Sequence, residues 1–183
     1  QMLDLLKVQG VVGRISGDER LGELAERREQ ALGVDGPVDL LMNKEGTWQG
    51  FGCLWRAALS ALEATLGGDD ETPLDRRNVL VIGTGPLART MIFGATRRQG
   101  LVSVAGSDDR MAQQLASVAD VRFVSAQNLY DTLVDVVILA DPELKLGPGR
   151  GELNPSFLRP PMLVLDVASG REDSAAVEEA RSR

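Results

Sequence analysis

Apolar and polar positions follow two different rhythms along the chain, and the change falls near residue 78. Beyond it, short β-branched runs alternate with stretches of helical spacing. VLVI (Val79 to Ile82) predicts a strand ending on a glycine. LARTMIFGATRRQ (Leu87 to Gln99) places Leu87, Met91 and Ala95 on one helical face. LVSVA (Leu101 to Ala105) predicts a second strand, DRMAQQLASV (Asp109 to Val118) a helix, and VRFV (Val121 to Val124) a third strand. DVVILA (Asp135 to Ala140) and MLVLDVA (Met162 to Ala168) predict a fourth and a fifth strand, and a last helix starts near Glu172. Strands that are apolar almost throughout, separated by helices, predict a parallel sheet covered on both faces.

The first part is less regular. GVVGRI (Gly10 to Ile15) reads as a strand, and DERLGELAERREQAL (Asp18 to Leu32) puts Leu21, Leu24, Ala25 and Leu32 at helical spacing. PVDLLMNKEGTWQG predicts a hairpin, with strands Val38 to Met42 and Thr47 to Gln49 and a turn near Lys44, Glu45 and Gly46. A tight turn then leads into an apolar helix from Leu54 to Leu66, and Trp48, Phe51 and Trp55 are expected in the core. GGDDETPLDRR (Gly67 to Arg77) combines glycines, a proline and acids and reads as a surface linker. The expected fold class is therefore α/β: a doubly wound parallel sheet over residues 78–183, preceded by a smaller α/β domain over residues 1–66.

Composition narrows the chemistry. Hydrophobic residues make up 43% of the 183 positions, enough for a packed core. The net charge of −7 disfavours non-specific nucleic-acid binding. The basic pairs Arg27-Arg28, Arg76-Arg77 and Arg97-Arg98 lie near acids or element boundaries and read as solvated faces. No apolar run approaches membrane-spanning length, and no leader pattern opens the chain, so a soluble cytoplasmic protein is expected. There is no histidine and one cysteine, Cys53. Histidine-dependent triads, Cys-His pairs and histidine or cysteine-cluster metal sites are thereby excluded. Cys53, between Gly52 and Leu54, reads as a small buried hydrophobe rather than a nucleophile.

The strongest motif is NVLVIGTGPLARTM, a strand, then Gly83-Thr84-Gly85-Pro86-Leu87-Ala88, then a helix. This is the G-x-G-x-x-A form of a dinucleotide loop. Gly83 permits the tight exit from the strand, and Gly85 permits close approach of a pyrophosphate. Ala88 permits close helix–strand packing. The helix N-terminus offers free N–H groups to phosphate, and Pro86 is acceptable there because its missing N–H is not needed. Gly83, Thr84, Gly85, Pro86 and Leu87 are the candidate cofactor-binding residues of this loop. The alternative is that the glycines only preserve a turn. After the second strand comes Gly106-Ser107-Asp108-Asp109-Arg110. Ser107 and Arg110 can touch a 2′-phosphate, whereas Asp108 can accept from a ribose hydroxyl and would repel that phosphate. The cofactor is thus NADP or NAD, unresolved by sequence. Ser107 or Asp108 can equally serve as the cap of the following helix.

Taken in order, the hairpin, the W-x-G turn, the apolar helix, the acidic linker, VLVIGTGPLA and VSVAGSDDRMAQQLA resemble the shikimate dehydrogenase family. The similarity is best from Val38 to Ala168. The resemblance implies an N-terminal substrate domain, a Rossmann domain and NADPH-dependent reduction of 3-dehydroshikimate in aromatic amino acid biosynthesis. The family's G-x-N/S-V-T-x-P-x-K segment matches GVVGRISGD, where Asp18 takes the place of the catalytic lysine. The substrate-holding asparagine of A-V-N-T falls on Asp39 in PVDLL, and the aspartate of G-x-N-T-D-G falls on Leu54 in GFGCLW. The N-x-T-P-x-G loop after the fourth strand is replaced by LADPELKLG, and the N-R-T phosphate reader by Gly106-Ser107-Asp108. Against the family, opening strands with a serine pair and a closing strand and helix have no counterpart, which implies a parent chain longer at both ends.

No catalytic residue is therefore assigned. Three readings stand. The chain binds NAD(P) with the family chemistry lost or changed; it is a working dehydrogenase on another substrate, with Asp18, Asp39, Lys44 and Tyr130 as candidate groups; or it is a non-catalytic assembly domain that meets a protein partner or a second copy of itself.

Overall fold

Five parallel strands form the larger sheet, in the order β7-β6-β5-β8-β9. They are β5 (Asn78–Ile82), β6 (Leu101–Ala105), β7 (Arg122–Phe123), β8 (Val136–Leu139) and β9 (Leu163–Asp166). The computed structural model describes residues 8–13, 20–32, 38–67, 72–145, 152–168 and 174–182. The central strands are the most apolar. Val79 to Ile82 and Val136 to Leu139 are all buried, as strands covered on both faces require. Helices α3 (Pro86–Arg97) and α4 (Asp109–Ala119) follow β5 and β6, and α5 (Ala175–Ser182) follows β9. Leu87, Met91 and Ala95 are buried on α3, as their spacing predicts. One core layer joins Leu80, Ile82, Ala105, Leu139 and Phe157.

The chain divides into two compact units, Gln1–Ala57 and Ala58–Arg183. The division falls inside helix α2 (Leu54–Leu66). The first unit holds a four-stranded sheet in the order β1-β3-β4-β2: β1 (Gly10–Val12), β2 (Arg27–Arg28), β3 (Leu40–Lys44) and β4 (Thr47–Phe51). Strands β3 and β4 pair antiparallel from Lys44↔Thr47 to Leu40↔Phe51. The connection is the two residues Glu45 and Gly46, both at positive φ (54° and 84°), the arrangement that matches strand twist in a two-residue hairpin. The hairpin is as expected, with its first strand two residues later than the sequence pattern placed it.

The helix expected over Asp18 to Leu32 is corrected. Among the described residues of this span, only α1 (Arg20–Leu24) is α-helical; β2 and a short 3₁₀ turn (Gln30–Leu32) follow. The physical reason is a competing partner. Arg27 and Arg28 pair in parallel with Gln49 and Gly50 of β4, and Glu29 N–H donates to the Gly50 carbonyl at 3.0 Å. A sheet edge meets these backbone groups, so helical spacing of Leu21, Leu24, Ala25 and Leu32 does not prevail. Leu21 still reaches the unit's core beside Leu41 and Trp48.

Two smaller readings also change. Leu74, inside the expected surface linker, is fully buried, and Arg76 N–H donates to the Gln99 carbonyl at 3.1 Å. The basic pairs are not uniformly solvated: Arg28 donates to the Gly22 carbonyl at 3.2 Å, and the Arg98 guanidinium meets Glu63 at 2.8 Å.

Candidate dinucleotide site

The order β7-β6-β5-β8-β9 reverses direction between β5 and β8. In such sheets ligands bind outside the carboxyl ends of the strands at that switch point. The glycine loop lies at this place. Gly83 leaves β5 at φ +140°, and a Cβ there would stand 2.8 Å from the Ala140 carbonyl oxygen at the end of β8. Neither the angle nor the space admits a side chain. The Gly83 N–H donates to Ala105 of β6 at 2.9 Å, and Ala140 N–H to Ile82 at 2.8 Å. Three strand ends thus fix the loop. Ala140 and Asp141, which close it on the β8 side, open the LADPELKLG segment that follows the fourth strand; their approach to Gly83 had no signal in the sequence.

Gly85 is the N-cap of α3, with φ −81° and ψ −175°, and beyond itself and its two chain neighbours no heavy atom lies within 4 Å of where its Cβ would stand. Pro86 is the first helical residue and has no N–H. Arg89 N–H closes the first helical bond onto the Gly85 carbonyl at 3.1 Å. The N–H groups of Leu87 and Ala88 therefore have no acceptor within the helix. The Leu87 side chain is buried, so its contribution to a ligand is its backbone N–H. Thr84 and Gly85 are half-buried and Pro86 is exposed. A backbone concavity with orphan donors, an open approach and the positive end of a helix fits a pyrophosphate.

The second loop lies against the first. A Cβ on Gly106 would stand 3.0 Å from Thr84 Cγ2. Ser107, Asp108 and Arg110 are exposed. Asp108, not Ser107, is the cap of α4: its Oδ1 accepts the N–H of Arg110 at 2.9 Å and of Met111 at 3.2 Å. Thr84, Ser107 and Asp108 thus belong to two neighbouring loops at the carboxyl ends of β5 and β6.

The first unit gathers a different set. Asp39 lies just before β3, and its two carboxylate oxygens accept the N–H groups of Cys53 (2.7 Å) and Leu54 (2.6 Å) at the start of α2. Glu29 Oε1 accepts the Gly52 N–H at 3.0 Å and meets the Arg56 guanidinium at 2.7 Å. Glu29 and Arg56 were missed by sequence, because Glu29 read as one charge on a helical face. Burial pushes the Glu29 carboxyl up; the Arg56 hydrogen bond, the Gly52 N–H and the Arg56 charge outweigh it and hold the group below its ordinary value. Cys53 is exposed, which corrects the buried reading. Partial burial of its thiol, then the charges of Asp39 and Glu29, push its pKa up, with Arg56 opposing. Trp48 and Trp55 are buried as expected, but Phe51 is only half-buried, with Lys44 Nζ 5.2 Å from its ring centre. Asp18 lies outside the described residues. In the second unit the Tyr130 hydroxyl donates to the Asn154 carbonyl at 3.4 Å.

Solved structures match this chain over nearly its full length. The shikimate dehydrogenase of Aquifex aeolicus superposes with a TM-score of 0.79 at 19% identity, covering 99% of this chain and 65% of that one. A shikimate dehydrogenase in complex with NADP⁺ gives 0.81 at 19% identity, with the same coverage. The fold is that of the shikimate dehydrogenases. The Thermus thermophilus enzyme, solved with NADP(H) and shikimate, gives 0.74 at 20% identity, covering 95% of this chain and 64% of that one. The chain thus spans just under two thirds of the length of these shikimate dehydrogenases. No protein-family pattern matches the sequence, and no curated protein does. Among the described residues, no helix is long and apolar enough to cross a membrane.

Proposed function

We propose that the chain binds a nicotinamide dinucleotide through Gly83 to Ala88 and the loop after β6, and that the shikimate dehydrogenase reaction is lost or changed in it. Residues 78–183 then act as the dinucleotide domain, after the linker at 67–77, and residues 1–66 as part of a substrate-type domain. The observation that carries the reading is the β5–α3 turn: orphan N–H groups of Leu87 and Ala88 beside an unobstructed Gly85, at the switch point of the sheet. The structural neighbour solved with NADP⁺ supports a cofactor of this class.

Loss or change of the chemistry is supported by the substrate-side turn. Leu54 stands where the family resemblance implies an aspartate, and an alkyl side chain transfers no proton. Both oxygens of Asp39 are taken up by backbone N–H groups of that same turn, and Glu29 is held by Gly52 and Arg56. These acids build the turn.

A thermal-shift titration with NAD⁺, NADH, NADP⁺ and NADPH tests the binding. A ligand at about 100 times its dissociation constant stabilises by about 2.7 kcal/mol, an easily seen shift. Gly85→Asp should remove that shift by placing a carboxylate against the pyrophosphate. Absence of any shift in the unaltered protein rejects the reading. NADP-dependent shikimate oxidation, assayed beside it, is expected at the blank rate; turnover above blank rejects the loss of chemistry.

A further inference from the structure

The loop after β6 carries an inference about which dinucleotide is taken. It rests on the binding reading above. Gly106 is buried and has no room for a Cβ beside Thr84, so the residues that follow it lie next to the glycine loop, where the adenosine ribose of a bound dinucleotide falls. A 2′-phosphate at that ribose needs N–H donors or cations. Two of the donors at the start of α4 are already taken: Asp108 Oδ1 holds the N–H groups of Arg110 and Met111. The capping carboxylate also neutralises the positive end of α4. Asp109 follows directly, its Oδ1 accepting the Ala126 N–H at 3.0 Å. From Gly106 to Arg110 there are two carboxylates and one cation. Asp108 Oδ2 accepts no bond among the described residues, and a ribose diol is a donor that a carboxylate oxygen satisfies.

We infer that Asp108 selects NAD(H) over NADP(H): the capping bonds fix one oxygen, and the other is presented to the ribose hydroxyl and repels a phosphate there. The structural neighbour in complex with NADP⁺ holds the phosphorylated dinucleotide instead. A carboxylate and a phosphate set side by side near a protein surface repel one another even after salt screening, so NAD⁺ should bind at least about tenfold tighter than NADP⁺.

The test is isothermal titration of the full chain and its Asp108→Asn variant with NAD⁺ and NADP⁺ at one fixed ionic strength. Asparagine is an equally good helix cap, so the variant keeps α4, and its unfolding midpoint checks that it does. The inference expects NAD⁺ to be preferred by the unaltered chain and the preference to fall about tenfold or more in the variant, mainly through a gain for NADP⁺. Equal affinities, or an NADP⁺ preference, in the unaltered chain overturn the inference and leave dinucleotide binding standing. An NAD⁺ preference unchanged in Asp108→Asn overturns the role of Asp108 alone. Binding of neither nucleotide overturns both the inference and the reading beneath it.

Discussion

Asp39 Oδ2 accepts the backbone N–H of Leu54 at 2.6 Å, so the first turn of α2 is capped by a residue from the start of β3. Oδ1 does the same for Cys53. An acid from outside the helix thus reaches its start and neutralises its positive end. The bonds are short and charge-assisted.

Removing that cap should cost stability. Asp39→Ala leaves two N–H donors at the head of α2 without their acceptor, and a loss of about 1–2 kcal/mol is expected. Asp39→Asn keeps one acceptor and should recover part of it. Urea unfolding midpoints at neutral pH measure both. An Asp39→Ala protein as stable as the unaltered chain would mean that the two bonds add nothing to folding.

Glu29 gives the first unit a dependence on acid. Its carboxyl, held below the ordinary value of 4.5, binds protons less readily folded than unfolded. The stability it contributes is therefore full above pH 4.5 and is lost as pH falls through the lower folded value. Glu29→Gln should flatten the fall in urea midpoint across that window, and Arg56→Met should flatten it too by removing the partner. A Glu29→Gln protein with an unchanged acid profile would assign the dependence to other groups.

The exposed Cys53 should alkylate slowly at neutral pH, because the reactive thiolate is scarce while its pKa is raised. The rate with iodoacetamide should climb as pH passes above the ordinary thiol range. Glu29→Gln removes one of the charges that oppose the thiolate, so it should react faster than the unaltered chain at the same pH. Fast labelling of the unaltered chain at pH 7 would contradict this electrostatic picture.

The extent to which these features were legible in sequence depended on distance along the chain. The β5–turn–α3 unit was readable because a β-branched run, two glycines and a helical apolar face lie within twenty residues and each has a local cause. Strand β2 was not. Arg27 and Arg28 carry no alternating apolar pattern, and what makes them a strand is backbone pairing with Gln49 and Gly50, some twenty residues away. The Glu29–Arg56 pair and the Asp39 cap are equally non-local. Asp108 lay between: its capping role was one of two local readings, and only the bonds to Arg110 and Met111 assign it.

Two glycines of the same loop should respond to substitution in opposite ways. Gly83 sits at φ +140° with backbone atoms of Ala140 at 2.8 and 2.9 Å from a would-be Cβ. Those atoms belong to the end of a central strand and cannot yield, so Gly83→Ala should lose about 1–3 kcal/mol. Gly85 sits at an ordinary extended angle with open space around it, at the N-cap of α3. Asp is a better N-cap than Gly by a few tenths of a kcal/mol, so Gly85→Asp should melt at or slightly above the unaltered protein in the absence of nucleotide. The same variant should show no nucleotide-induced shift, because the new carboxylate occupies the pyrophosphate approach. Fold and binding thus separate within three residues. Melting curves of both variants, with and without nucleotide, read both effects. If Gly85→Asp melts well below the unaltered chain, the loop is packed more tightly than its open Gly85 implies, and its loss of binding would be only a loss of folding.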